Sequence, residues 1–499
     1  MVLVFLAWAL LFLPAFLADF DARSLLLVLL SAALLWPLST PRLLPWSVAI
    51  LALLGAGNLV HISHFGYLVD EYLVATALRT NWQEALEFGQ AVSLRTAASV
   101  ALWLLACLGI GLWLHQRAPA ARQSSRSARW ITWAATAFWL LYAVFGAVKH
   151  FGLQDYAHGL RYVYPLQAVR AVVSQQAMAD ATFYTPQMET IPMGPPAADT
   201  VVVVLGESAS AQRWSLLGYT GAATNAPLQG IPQLQAATVL AHGVTTAEAL
   251  PFLLTARSAH DSATQQLPSF LDLAQSADYK VFAFNNSRYN NRREDFYAQV
   301  LRRSADVFQQ AGDGDYDEVL TPYLEAALND PAPRKLIVLH TYGSHPSLTK
   351  RVPPTQTAVG DAYDTTIHYT SQLLAQWIQL TEAAHTNGTA MLLYSSDHGL
   401  VLPPCPSAIG TGSSRSSVQV PLLVWANERL RSRQQALATA ITQATEQPMA
   451  TSNAELARLA ALAIGATPIS PPPLEVDGKP WSTLKTLDAC SQDYAGDVL

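Results

Sequence analysis

The chain is predicted to fold as an N-terminal α-helical membrane domain with five transmembrane helices, followed by an α/β domain whose mainly parallel sheet is flanked by helices. Three observations predict this. Long, nearly uncharged apolar runs crowd roughly the first 150 positions of a 499-residue chain that is 51% hydrophobic and only 13% charged. Beyond residue 199, short apolar runs of strand length alternate with helical stretches. Four of those short runs stop abruptly at polar residues, as strands do where they line the crevice of an open α/β sheet.

The apolar runs are 2–18, 24–38, 44–62, 94–114 and 130–148. The second is short for a bilayer core of roughly 30 Å and ends at Pro37. The first has no Lys or Arg ahead of it and is followed by further runs, so it reads as a retained anchor rather than a cleaved signal. The fourth connection, 115–129, carries Arg117, Arg122, Arg126 and Arg129 and no acid, and the second carries Arg42. The first and third are acidic, with Asp19, Asp21, Asp70, Glu71, Glu84 and Glu87. The positive-inside bias therefore places the second and fourth connections in the cytoplasm, and everything after Lys149 outside it. The expected division is a membrane domain at 1–149, a juxtamembrane helix and Pro-rich linker at 150–198, and an extracytoplasmic catalytic domain at 199–499.

Cys107 falls in the fourth run, leaving Cys405 and Cys490 as a candidate disulfide in an oxidising compartment; spacing alone does not pair them. A formal net charge of −6, with no basic cluster in the second half, gives no sign of a nucleic-acid partner. No internal repeat is present. The thirty-residue third connection places Thr76, Thr80 and Glu84 four residues apart, on one face of a helix. That face suits either an amphipathic helix resting on the bilayer or a polar strip aimed at a lipid headgroup.

In the second half the expected strands are 200–205, 279–284, 335–339, 390–394 and 418–425, and the expected helices include 267–277, 318–328, 358–384 and 429–444. The strand ends carry the chemistry: Glu207-Ser208 after the first, Asn285-Asn286-Ser287 after the second, His340 to His345 after the third, and Asp397-His398-Gly399 after the fourth. If these ends share one rim, Glu207, Asp397 and His398 supply two carboxylates and an imidazole. That set is one ligand short of four-coordinate zinc. A metal there would acidify a bound hydroxyl, and the candidates are Thr245 and Thr246, ahead of a helix whose N-terminus suits an anionic phosphate. An N-cap threonine accounts equally for either residue at this level.

These segments together resemble the phosphoethanolamine transferases of the bacterial inner membrane, members of the alkaline-phosphatase and sulfatase superfamily that include the lipid A modifiers behind polymyxin resistance. Glu207-Ser208 with the later Ser215-Leu216-Leu217-Gly218-Tyr219 is similar to the family's GET…SLNGY segment, and the 242–251 stretch to its CGTSTA…VP segment. Ser396-Asp397-His398-Gly399 is similar to SDHGE, and 340–345 to HQ.G.H. The resemblance implies a sulfatase-like domain, with Glu207, Thr246, Asp397 and His398 as zinc ligands and Thr246 as the nucleophile. His345 would act on the phosphoryl group, and Thr76, Thr80, Glu84, Ser287 and His340 would be substrate contacts. It further implies one zinc ion, a phosphatidylethanolamine donor, an envelope glycan or lipid A acceptor, and a monomer in the inner membrane facing the periplasm.

The sequence departs from that family at several points. Leu400 stands where SDHG is followed by Glu, and no histidine lies between Pro404 and Val420. Arginines 288, 292 and 293 replace a lysine after Ser287, and His242 occupies the first position of the cysteine-bearing segment. Two alternatives accompany the transferase reading: a phosphoglycerol transferase of the lipoteichoic-acid-synthase type, and a non-catalytic envelope scaffold. Glu84 favours ethanolamine over glycerol, since a carboxylate pairs with an ammonium group.

Overall fold

A computed structural model describes residues 43–65, 92–117, 192–255, 268–287, 296–312, 316–402, 414–446, 451–466, 475–476 and 479–480, with positions 10, 11, 82, 85, 86, 89, 130, 134 and 137 besides. The chain divides into two compact units, one built mainly on 1–177 and the other on 178–402 and 410–494.

In the first unit, α1 (Leu44–Phe65) and α2 (Leu94–Arg117) coincide with the third and fourth apolar runs. They pack antiparallel through small residues. A Cβ on Gly55 would lie 3.3 Å from Trp103, and one on Gly111 would lie 3.2 Å from the Pro45 carbonyl oxygen. Leu102, Leu105 and Leu112 face outward at 63–71% exposure, as a lipid-facing surface requires. Among the described residues one helix, over Leu94–Leu114, is long and apolar enough to cross a membrane, and Leu44–Leu53 is a shorter apolar stretch. Apart from positions 10, 11, 130, 134 and 137, the other three expected spans lie outside the described residues, as do the Thr76/Thr80/Glu84 strip, Cys405, Cys490 and the arginines at 288, 292 and 293.

The second unit holds a seven-stranded sheet. In chain order its elements are β1 (Thr200–Gly206), β2 (Leu234–Leu240), α3 (Thr246–Thr255), α4 (Phe270–Ser276), β3 (Lys280–Asn285), α5 (Phe296–Ser304), β4 (Val307–Gln310) and α6 (Thr321–Leu328). There follow β5 (Lys335–His340), α7 (Ala362–Ala384), β6 (Ala390–Ser396), β7 (Gln419–Ala426), α8 (Glu428–Arg433), α9 (Gln435–Glu446) and α10 (Glu455–Ile464). The strand order is β2-β7-β6-β1-β5-β3-β4. Strands β6, β1, β5, β3 and β4 run parallel, whereas β7 is antiparallel to both β6 and β2.

All seven β1 residues are buried, because helices cover both faces of the sheet. Val201, Val203 and Leu205 join one core with α3, α4, α9 and α10, while α6 packs against β5 and α7 against β6. Five expected strands are present to within two residues of their predicted ends. One expectation needs correction: the 429–444 helix breaks at Gln434. Within the mainly parallel sheet β7 runs against its neighbours, and β2 and β4 are strands beyond the five expected. Polar residues three apart in β2 (Gln235, Thr238), which break a period-two pattern, and the exposed end of β4 hide their strand character.

Candidate active site

Because β6, β1, β5 and β3 are consecutive and parallel, their carboxyl ends lie side by side: Gly206 pairs with Ser396, Leu205 with His340, and Asn285 with His340. Strand β2 runs in the same direction as these four, so its end delivers the 241–246 segment to the same rim. Glu207, Asp397 and His398 meet there, with one ligand atom from each lying within 4.8 Å of the others. Thr246, the first residue of α3, donates its hydroxyl to Glu207 Oε2 at 3.0 Å. The structure thereby distinguishes the two threonines left open by the sequence. Thr246 is half-buried, whereas the three residues around it are buried.

The cluster is held mostly by backbone. Ser208 adopts φ +57°, a left-handed conformation that costs an L-residue roughly 1–2 kcal/mol. Three bonds hold it there: its hydroxyl donates to Glu207 Oε1 at 2.6 Å, its N–H to Asp397 Oδ1 at 3.0 Å, and its carbonyl accepts from Tyr363 at 2.6 Å. The Asp397 N–H donates to Gly206 O at 3.1 Å, and the His398 N–H turns back onto Asp397 Oδ1 at 2.6 Å. Asn453, which no sequence motif singles out, donates to the Asp397 carbonyl at 3.0 Å. Its own N–H bonds Leu240 O at the end of β2. A polar residue after a surface-like linker carries no periodicity signal.

Electrostatics point to a cation. A carbonyl can only accept, so the 2.8 Å contact between His398 Nδ1 and Gly399 O places the imidazole proton on Nδ1. The Nε2 lone pair then faces Glu207 Oε1 at 3.6 Å and Asp397 Oδ2 at 3.5 Å. Asp397 Oδ2 is buried without a hydrogen-bond partner. Burial, and after it the Asp397 charge, push the Glu207 carboxyl well above the usual carboxylate range. Two carboxylates and an imidazole lone pair converging around the unpartnered Asp397 Oδ2 fit a divalent metal. Three protein ligands with an adjacent hydroxyl match the open donor set of a catalytic zinc site.

The remaining expected residues gather on the β3 and β5 side of the rim. His340 is fully buried, its Nδ1 bonded to Asn285 Oδ1 at 2.7 Å, and burial lowers its pKa to about 4. The half-buried His345 stacks on Tyr342 with ring centroids 4.8 Å apart. Burial first, then the Arg351 charge, lower its pKa to about 3. Ser287 is buried beside them, its carbonyl accepting from Gln310 at 2.9 Å. His242 stacks on Phe252 at 4.1 Å, in the segment that leads to Thr246.

Fold and cluster together define a sulfatase-like α/β domain carrying a membrane segment. The family model described as Sulfatase matches residues 199–453, more than half of the chain, and the chain belongs to that family. Residues 27–174 match the model described as Phosphoethanolamine transferase EptA/EptB, in agreement with the resemblance read from the motifs. Phosphoethanolamine transferase EptC of Escherichia coli (strain K12) is 30% identical over 271 residues, covering 46% of this chain and 45% of EptC. The chain thus spans about half the length of the first curated relatives it matches. EptA of Helicobacter pylori is 22% identical over 442 residues, covering 81% of this chain and 80% of that protein. Among solved structures, the integral membrane lipooligosaccharide phosphoethanolamine transferase A of Neisseria meningitidis shares the fold. Its TM-score is 0.63 at 16% identity, over 93% of this chain and 95% of that one.

Proposed function

We propose that this protein is a zinc-dependent phosphoethanolamine transferase. It would move the headgroup of phosphatidylethanolamine to an envelope glycan or lipid A through a phosphothreonine. The observation that carries the reading is the Thr246 hydroxyl, 3.0 Å from Glu207 Oε2 beside a buried cluster of two carboxylates and an imidazole. On this reading the chain is a multi-pass inner-membrane protein with five spans and divides at 1–149, 150–198 and 199–499, with its catalytic domain in the periplasm.

Glu207, Asp397, His398 and Thr246 would hold the zinc, whose charge lowers the hydroxyl pKa and offsets phosphoryl charge. Thr246 Oγ forms a bond to phosphorus, and the bond from phosphorus to the glycerol oxygen breaks. The proton lost by Thr246 leaves with diacylglycerol, so the half-reaction balances. The acceptor oxygen then attacks phosphorus, and Thr246 leaves with the acceptor's proton. His345, held neutral by a pKa of about 3, suits an N–H donor to the phosphoryl oxygens better than an acid. His340 and Ser287 on the same rim, with Thr76, Thr80 and Glu84 from the membrane half, would contact the donor lipid.

The test is intact mass of the detergent-purified chain after incubation with phosphatidylethanolamine, beside Thr246→Ala. A phosphoethanolamine increment on the wild type alone is expected. An increment from phosphatidylglycerol instead moves the donor to phosphoglycerol. An increment that persists in Thr246→Ala removes the nucleophile assignment, and no increment from either lipid, with no bound zinc, favours the scaffold.

A further inference from the structure

Asp317 lies outside the metal cluster, at the start of a short 3-10 turn (Asp317–Leu320), and is 4% exposed. Its carboxylate serves two loops at once. Oδ1 accepts from Tyr342 N at 2.7 Å and from Asn286 Nδ2 at 2.8 Å, and Oδ2 accepts from Gly343 N at 2.8 Å. One loop follows β3 and the other follows β5. Both end in residues at the rim.

Capping stray N–H groups would be reason enough for a buried aspartate. The next links in the chain go further. Gly343, at φ +49°, is pressed so closely on Glu207 that a Cβ there would lie 2.6 Å from Glu207 O. The following N–H, of Ser344, donates to that same Glu207 O at 3.0 Å. Tyr342, whose N–H the carboxylate holds, supplies the ring on which His345 stacks, the two planes being 13° apart. The Arg351 guanidinium lies 4.4 Å from the centre of that ring. A charge-assisted grip on two successive N–H groups therefore fixes both the backbone under Glu207 and the platform under His345.

We propose that Asp317 is a positioning residue for group transfer. It sets the 341–345 loop against Glu207 and, through Tyr342, the orientation of the His345 ring. The inference rests on the transferase reading of the same rim, and its test separates the two. Asp317→Asn is isosteric but offers one acceptor oxygen where the carboxylate offers two, so one loop N–H meets an amide NH2.

The first measurement needs no turnover: carbethoxylation of His345 by diethyl pyrocarbonate in the full chain, read by peptide mass mapping, with His385 as the internal control. Asp317→Asn is expected to raise the His345 rate by about three-fold or more and leave His385 unchanged, because a loosened stack frees the imidazole. Tyr342→Leu keeps both N–H donors, must give the same rise, and serves if the asparagine variant does not fold. An unchanged His345 rate in both variants overturns the proposal.

The second measurement is the rate of adduct formation from phosphatidylethanolamine. Asp317→Asn is expected to slow it by about ten-fold or more, and by a clearly smaller factor when His345→Ala is already present, the remainder passing through Glu207. Equal losses in both backgrounds overturn the route through His345. Faster carbethoxylation with no wild-type adduct from either phosphatidylethanolamine or phosphatidylglycerol refutes the transferase reading and leaves the loop assignment supported.

Discussion

Gly343→Ala is the sharpest probe of how the rim is built. At φ +49° an alanine sits in the left-handed region, at a cost of roughly 1–2 kcal/mol. Its Cβ would also start 2.6 Å from Glu207 O and 3.1 Å from Glu207 N, both backbone atoms. Ordinary contact begins near 3.4 Å, so the loop or the Glu207 backbone must yield by several tenths of an ångström. That movement strips the Ser344 N–H bond from Glu207 O, worth about 1–2 kcal/mol where both groups are buried. The sum is about 2–4 kcal/mol, or a fall of roughly 5–15 °C in melting midpoint. Adduct formation should drop about 10–100-fold, since a displacement of this size spoils an attack geometry. Scanning calorimetry and intact mass on the same preparation give both numbers. A midpoint within about 2 °C of wild type, with an unchanged rate, refutes the argument that this close approach fixes Glu207.

Other expectations follow from the same geometry. Thr246→Ser keeps a hydroxyl at the helix start and should retain the mass increment, whereas Thr246→Ala should remove it with the melting midpoint nearly unchanged. Asn453→Ala removes the donor to the Asp397 carbonyl and should weaken zinc affinity about 10–100-fold, measured by competition with a chelating dye. An affinity equal to wild type would show that the turn holds itself. For pH, the His340 pKa falls from 6.5 to about 4 on folding, so the unfolded chain takes up a proton near pH 6.5 that the folded chain refuses. Stability present above pH 6.5 is lost as pH falls toward 4, by up to about 3 kcal/mol. Melting of the metal-free protein between about pH 8 and pH 5 should decline accordingly, and His340→Gln should flatten the decline. A parallel decline in both proteins would place the proton elsewhere.

The parts of this molecule legible in the sequence are those where local pattern and final environment agree. Strand β1 is uniformly apolar because both its faces are covered, and the polar residues after it mark where burial ends. The same pattern places Glu207, Asp397 and His398 on one rim, since parallel neighbours end together. Strand β2 was missed although it carries Thr246 to the site. Its polar residues Gln235 and Thr238 stand three apart on a partly exposed edge strand, so it shows neither a continuous apolar run nor a period of two. Asp317 and Asn453 were also unreadable, for a different cause. Each acts by accepting from or donating to distant backbone, at separations of 25 and 56 residues, and no residue-type pattern encodes such a partner.

That division bears on the departures from the family pattern. The position after Gly399 is Leu400, fully buried, and Leu402 N nearby bonds Ser416 Oγ at 3.2 Å. A glutamate enclosed at such a site would need its own donors, and without them its burial would cost several kcal/mol. An apolar residue fits the core with no such demand. The cluster itself depends on N–H and C=O groups of residues 206, 208, 344, 397 and 399, which any side-chain substitution leaves in place. A frame built from backbone tolerates wide change around it, which is how one fold persists at 16% identity over 93% of the chain. Variation at Leu400 would then change the packing beneath the rim and leave the Glu207, Asp397 and His398 cluster in place. Replacing Leu400 with alanine should therefore lower the melting midpoint, by about 2–5 kcal/mol of lost packing, and spare zinc stoichiometry. Loss of zinc with an unchanged midpoint would place Leu400 in the site rather than beneath it.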